Sequence, residues 1–213
     1  MVNILRVGAL SSVNPFCTWA AVIAITAFMA RYGVDTLAGY GIGARLEFLL
    51  IPLIFGFGAA STAMVGIHFG AKKIERAHRV GWTASFISAG IAGVIGITVA
   101  VFPEIWANAF TDVEAVQMAC RTYLQIVAPF YAFFAVALCL YFASQGAGRV
   151  LWPVIAVAVR FAIVIVGGLI LAMIEETRIE PFFILIAAGM AAQGILTGLA
   201  IHLGAWTRNL DEA

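Results

Sequence analysis

Long apolar runs recur from one end of this 213-residue sequence to the other, and they restrict the chain to a membrane fold. Each run is about 20 residues long, enough for a helix to cross the ~30 Å hydrocarbon core of a bilayer. Charged residues make up only 11% of the chain, against about 25% in soluble domains. Because the runs are continuously apolar and do not alternate, helices are favoured over barrel strands. We therefore predict an all-α integral membrane protein.

Charges, glycines and prolines divide the chain into six predicted transmembrane helices, which form a single lobe over residues 1–213. The predicted spans are about 8–30, 47–69, 81–102, 120–142, 150–173 and 182–205. The first run is too long for the 7–15-residue core of a signal peptide, so we count it as a span.

The basic residues predict the orientation of these spans, since short cytoplasmic loops retain Lys and Arg. With the N-terminus inside, seven basic residues lie on the inner side: Arg6, Lys72, Lys73, Arg76, Arg79, Arg149 and Arg208. The outer segments hold Arg31, Arg121 and Arg178, together with most of the acids, including Glu175 and Glu176. We expect a multi-pass protein of the plasma (inner) membrane with both termini cytoplasmic. Residues 71–80 have helical charge spacing and are expected to lie along the inner face.

No enzyme signature is present in the sequence. It lacks H-E-x-x-H, G-x-S-x-G and phosphate-loop motifs. Three scattered histidines and three cysteines without C-x-x-C spacing indicate neither a metal site nor a nucleophile with its base. A net charge of +1 does not favour nucleic acid as a partner. We predict a non-enzymatic protein without a cofactor, whose first partner is the lipid bilayer.

Polar residues inside spans are costly in lipid and are therefore the candidate functional residues. Arg160 lies near the middle of the fifth span, so it should face a cavity, a carboxylate or backbone carbonyls. A structural role in locking helices together is an equal alternative. No Asp or Glu is predicted at the centre of any span, so the sequence offers no evident site for a coupling ion.

Four further polar residues are candidates for a substrate or ion pathway, with helix-to-helix hydrogen bonding as the alternative. Asn14 and Thr18 share one face of the first span and bracket Pro15, whereas Gln145 and Gln193 lie in the fourth and sixth spans. Pro15 and Pro129 favour kinks, which in transporters often flank a ligand path.

Arg45 and Glu47 are predicted to open the second span at its outer end. They lie two residues apart and so face different sides of a helix. Interfacial anchoring is their expected role, with gating as the alternative.

The stretch Ala30-Arg31-Tyr32-Gly33-Val34-Asp35-Thr36-Leu37-Ala38-Gly39-Tyr40-Gly41-Ile42-Gly43-Ala44-Arg45-Leu46-Glu47 resembles the multidrug and toxic compound extrusion (MATE) family of efflux antiporters. Similar motifs follow in order to Gln145-Gly146-Ala147-Gly148-Arg149, through Pro52 with Gly56 and Gly58, Val65-Gly66 with Gly70-Ala71, Arg76-Ala77 and Ala128-Pro129-Phe130. The likeness covers nearly the whole chain.

This resemblance implies half of a transporter with twelve helices in two lobes, which exchanges sodium ions or protons for small organic, often cationic, compounds by alternating access. The motif order is similar to that of the second, C-terminal lobe. The expected partner is the missing six-helix lobe or a second copy of this chain. A related lipid or polar-substrate flippase, and a non-transporting scaffold or truncated fragment, remain alternatives.

The sequence departs from the family pattern at several positions. Ile67-His68 replaces the usual Gln-Asn, and Leu10 stands where proline is frequent. The family's cation-binding acids in one branch would fall near Thr18 and Phe134, and neither position is acidic here. The coupling ion, sodium or proton, is therefore open.

Labelling of single cysteines tests the predicted orientation. In a chain freed of its three native cysteines, Lys73→Cys should react with a membrane-impermeant maleimide only from the cytoplasmic side, and Asp112→Cys only from the outside. Labelling of Lys73→Cys in intact cells would overturn the topology.

Overall fold

The structure is a computed structural model that describes residues 2–174 and 178–207, with side chains described from residue 12 onward. Glu175, Glu176 and Arg208, and the side chains of Arg6 and Leu10, lie outside the described residues. Within them every regular element is helical: α1 Val2–Ala30, α2 Val34–Gly70, α3 Ile74–Val101, α4 Glu104–Ala107, α5 Glu114–Val127, α6 Tyr131–Gly146, α7 Leu151–Ala172 and α8 Glu180–His202. A 3₁₀ turn, Ala128–Phe130, joins α5 to α6.

Six candidate spans are present in the described residues, as predicted. They are α1 from Ser12 onward, α2, α3, the segment Glu114–Gly146, α7 and α8. The predicted all-α, six-span membrane fold is therefore confirmed. α4 is a single turn between α3 and α5, too short to cross a bilayer.

Four helices, α1, α2, α3 and α5, begin six or more residues earlier than the sequence predicted, and α2 and α3 differ most. α2 begins at Val34 and its 37 residues measure about 55 Å, well beyond the ~30 Å apolar core. α3 begins at Ile74, so only residues 71–73 remain as a turn, in which Lys72 has a positive φ of 58°. The expected helix along the inner face is instead the first part of α3. A charged residue interrupts the hydropathy pattern of a span without ending the hydrogen bonding of its helix. This explains why α2 and α3 both begin before their predicted spans.

The fourth span consists of α5 and α6 and lies at the centre of the bundle. It is the most buried of the six, since 56% of its most apolar 18-residue stretch is buried inside the protein. α2, α3 and α8 pack around it, whereas α1 lies at the edge, mainly against α7. Pro129 lies in the 3₁₀ turn, where a residue without an N–H suits the break between α5 and α6. Gly96 of α3 packs directly against the Ala128 carbonyl of this turn.

Glycines bring α2 and α6 into close contact. Gly66 lies against the backbone of Gly146, and a side chain on Gly146 would collide with the Thr62 carbonyl. The Thr62 hydroxyl donates to the Phe142 carbonyl oxygen at 2.8 Å, which adds a hydrogen bond between the same two helices. Small residues that allow backbones to approach are a main source of helix association in membranes, where apolar side chains gain little by leaving lipid.

Trp206 holds the segment that follows α8 against the bundle. It is fully buried, and its indole N–H donates to the Ser144 hydroxyl at 3.0 Å. The segment after α8 therefore packs against α6, which fixes the end of the last span.

Substitution at Gly146 tests the close contact of α2 and α6. Gly146→Ala should lower the free energy of unfolding by about 2 kcal/mol, because two helix backbones must separate to admit the methyl group. Gly90→Ala is the matched control, since nothing lies within 4 Å of its added carbon. Thermal unfolding in mild detergent measures both, and equal stability of the two variants would contradict the packing.

A candidate substrate crevice with an ion pair

A crevice opens between α1, α2 and α7, and its floor is formed by α5, α6 and α8. Each wall is a helical stripe. α2 contributes Tyr40, Ala44, Glu47 and Ile51, at spacings of three, four and seven residues that place them on one face. α7 contributes Val157, Arg160, Phe161 and Val164 by the same spacing, and α1 contributes Thr18, Ala21, Val22 and Ile25. The crevice is therefore mostly apolar, with a few polar groups at fixed positions.

An ion pair crosses the crevice from α2 to α7. Nη2 of Arg160 lies 3.2 Å from Oε1 of Glu47. The side chains are 14% and 17% exposed, so both charges are largely removed from the surroundings. Arg160 is ten residues into the 22-residue α7, which places the pair close to the middle of that span. In lipid each charge alone would be costly, and pairing reduces that cost.

Neighbouring groups complete the coordination of both charges. Nη1 of Arg160 donates to the Gln193 amide oxygen of α8 at 3.2 Å, and its guanidinium lies 5.3 Å from the centre of the Phe134 ring. The Tyr123 hydroxyl donates to Oε2 of Glu47 at 3.2 Å. Five helices thus meet at this ion pair: α2, α5, α6, α7 and α8.

Packing around the pair fixes its geometry. Tyr123 stands edge-on to the rings of both Tyr40 and Phe183, which holds its hydroxyl towards Glu47. Gly189 of α8 faces the stem of Arg160, and a carbon added there would lie 3.0 Å from Arg160 Cγ. The absence of a side chain at Gly189 therefore gives the arginine stem its room.

The structure brings some of the candidate residues together and separates others. Thr18 lines the crevice and donates to the Asn14 carbonyl one turn earlier at 2.9 Å, and Asn14 is itself buried. Pro15 is exposed within α1. Gln145, at the end of α6, and Pro129 do not line the crevice. The pathway role expected for Gln145 and the gating role expected for Pro129 therefore stay predictions.

Glu47 corrects the prediction made for it. It lies 13 residues, or about 20 Å, beyond the start of α2, not at an outer span end. A carboxylate is consequently present within a span, where none was expected. Arg45, two residues away, is exposed on another face, with its guanidinium 5.7 Å from the centre of the Phe110 ring. The prediction that these two residues face different sides agrees with the structure, and an anchoring role now fits Arg45 alone.

Comparison with known proteins identifies the family. The MatE family model matches residues 11–170, which is most of the chain. This chain belongs to the MATE family. It is 28% identical over 156 residues to the probable multidrug resistance protein NorM of Thermotoga maritima, covering 72% of this chain and 33% of that protein. It is 27% identical over 157 residues to the probable multidrug resistance protein YoeA of Bacillus subtilis, covering 73% and 34%.

Solved MATE transporters share the fold. The MATE transporter ClbM, solved in complex with Rb⁺, superimposes with a TM-score of 0.86 at 20% identity, over 97% of this chain and 49% of that one. The chain thus spans about a third of the length of the curated MATE relatives it matches and about half of this solved MATE transporter.

Sequence reasoning missed Tyr40, Tyr123 and Gly189 as parts of the site. Tyr40 and Glu47 are seven residues apart and share a helix face. This spacing becomes informative only when α2 is known to begin at Val34, before both residues. Tyr123 and Gly189 gave no local signal, because their roles depend on neighbours from other helices.

A double-mutant cycle tests whether the ion pair holds α2 and α7 together. Glu47→Ala and Arg160→Ala should each lower the free energy of unfolding by about 3 kcal/mol, since each leaves a partly buried charge without its partner. The double variant should lose less than the sum by about 2 kcal/mol. Equilibrium unfolding in mild detergent gives these values.

The surface pair of Glu75 and Arg79, 3.5 Å apart and 90% and 77% exposed, is the matched control and should show little coupling. Strict additivity at Glu47 and Arg160 would contradict the interaction.

Proposed function

We propose that this chain is one lobe of a MATE-type antiporter, which exports organic, often cationic, compounds in exchange for sodium ions or protons by alternating access. The carrying observation is the Glu47–Arg160 pair in a crevice that reaches the middle of the membrane. Family membership supports the multidrug class of substrate, and the share of the relatives that the chain covers supports its role as one lobe. The missing lobe, or a second copy, would close the crevice from the opposite side.

Glu47 is our candidate for the group at which exchange takes place. Its carboxylate is already neutralised by Arg160, so an incoming cation must displace the guanidinium, and a proton must weaken the same pair. Either event would loosen α2 from α7. Competition between substrate and coupling ion for one carboxylate would then link their movements in opposite directions.

The aromatic lining suits organic cations. Tyr40, Phe48, Tyr123 and Phe134 line the same crevice as Glu47, and ring faces attract cations in sites that exclude water. α1 carries Pro15 and packs mainly on α7, so we propose that it bends relative to α2 as the lobes rock.

Arg160 favours a second candidate, a flippase for a polar or anionic substrate. A phosphate or carboxylate on the substrate would bind its guanidinium in place of Glu47. Substrate charge therefore separates the two candidates: the antiporter depends on Glu47 and the flippase on Arg160.

Reconstituted dye efflux tests the proposal. The chain, alone or co-expressed with a MATE first lobe, should release ethidium from vesicles when a sodium or pH gradient is imposed. Glu47→Gln should lower the rate at least about tenfold, because a neutral amide holds a cation far less strongly.

Arg45→Gln serves as the control, since it removes a charge outside the crevice and should retain activity. Normal efflux by Glu47→Gln would refute the assignment of that residue. A folded chain without flux in any pairing would favour the scaffold.

A further inference from the structure

A second concave site lies between α2 and α3, far from the crevice along the α2 helix. Its walls are Ala60, Ser61 and Met64 of α2 and Thr83 and Ala84 of α3, with Arg79 at its open end. We call it the α2–α3 groove. It shares no lining residue with the crevice and has a volume of about 320 Å³, within the range of small-molecule sites.

The walls of the groove are mostly apolar, and one of its two hydroxyl groups has no hydrogen-bond partner among the described residues. Ser61 is only 1% exposed, and its Oγ has no hydrogen-bond partner among the described residues. A buried hydroxyl left unpaired carries a free-energy cost that a bound acceptor would remove. The groove therefore suits a ligand that is largely hydrocarbon and has an oxygen acceptor at the position of Ser61.

The segment that leads to Arg79, at the edge of the groove, is strongly basic. Lys72, Lys73, Arg76 and Arg79 carry four positive charges and Glu75 one negative charge, which leaves a net charge of +3 over residues 72–79 with His78 neutral. The Arg79–Glu75 contact is 3.5 Å long and highly exposed, so it holds the guanidinium only weakly. Arg79 is thus free to bind a phosphate oxygen, to which guanidinium groups form strong charge-assisted hydrogen bonds.

The spacing of the two polar groups fits a glycerophospholipid. Ser61 lies nine residues before the end of α2, which is roughly 13 Å along the helix from that end. Arg79 lies five residues after the start of α3, which is roughly 7 Å along the helix from its start. The hydroxyl is therefore roughly 6 Å deeper than the guanidinium. We propose that the α2–α3 groove binds one anionic glycerophospholipid, with its phosphate at Arg79, an ester carbonyl at Ser61 and an acyl chain between α2 and α3.

This assignment does not rest on the transport proposal. A hydrocarbon chain matches the apolar walls, and only an anionic headgroup matches the basic end. A second protein lobe covering the groove would instead have to supply acidic residues opposite Arg79. Binding of the lipid would fix the ends of α2 and α3 at one membrane surface.

Native mass spectrometry measures this binding directly. The protein is reconstituted in vesicles that contain equal amounts of phosphatidylglycerol and phosphatidylcholine. It is then extracted in detergent, and the lipids that stay bound to it are identified by their mass. One phosphatidylglycerol should be retained in preference to phosphatidylcholine. Arg79→Gln should lower its retention about fivefold, the effect of removing one basic residue near a lipid surface. Arg178→Gln, exposed at the opposite end of the bundle, is the matched control and should retain the lipid.

Two further variants test the groove itself. Ala84→Trp fills it and should abolish retention, whereas Val94→Trp, on the exposed side of the same helix, should not. Ser61→Ala removes only the unpaired hydroxyl and should lower retention without lowering the melting temperature, so the proposal stays testable if Ala84→Trp fails to fold. Equal retention of both lipids, or unchanged retention in Arg79→Gln and Ser61→Ala, would overturn it. Loss of association between chains in Ala84→Trp, with lipid retained, would assign the groove to a protein interface instead.

Discussion

The ion pair between Glu47 and Arg160 is the constraint on which the arrangement of this bundle depends. A charge at mid-membrane depth is tolerated only with a partner, so α2 and α7 must present these two residues to each other. Gln193 and Tyr123 add α8 and α5 to the same point. One electrostatic requirement therefore sets the rotation of four helices about their axes and leaves an apolar crevice around a paired carboxylate.

Close contacts at glycines pack together the helices that surround the ion pair. The seam of Gly66 and Gly146 joins α2 to α6, and Gly96 joins α3 to the turn before α6. Close backbone contact stabilises helices in lipid through dispersion forces that bulky side chains would prevent. No such glycine seam joins α1 to α2 in the part of α1 whose side chains are described, which is consistent with the crevice opening between those two helices.

The candidate site was predictable in part. A single arginine inside an apolar run had to face a partner, and the sequence indicated Arg160 for that reason. Glu47 was misplaced because Arg45 stands beside it, and two charges close together resemble a span boundary. In the structure the helix passes through both positions and the two side chains diverge, since neighbours two residues apart lie on different faces.

The sequence alone determined that the chain lies in a lipid bilayer and how many spans it has. A bilayer of fixed thickness requires apolar runs of about 20 residues, whichever neighbours each helix packs against. Only the tertiary structure decided which residues form the site. Glu47 and Arg160 are 113 residues apart in the sequence, and Trp206 is 62 residues from Ser144, its hydrogen-bond partner. Local spacing does not encode such pairs, because they depend on how each helix is turned against its neighbours.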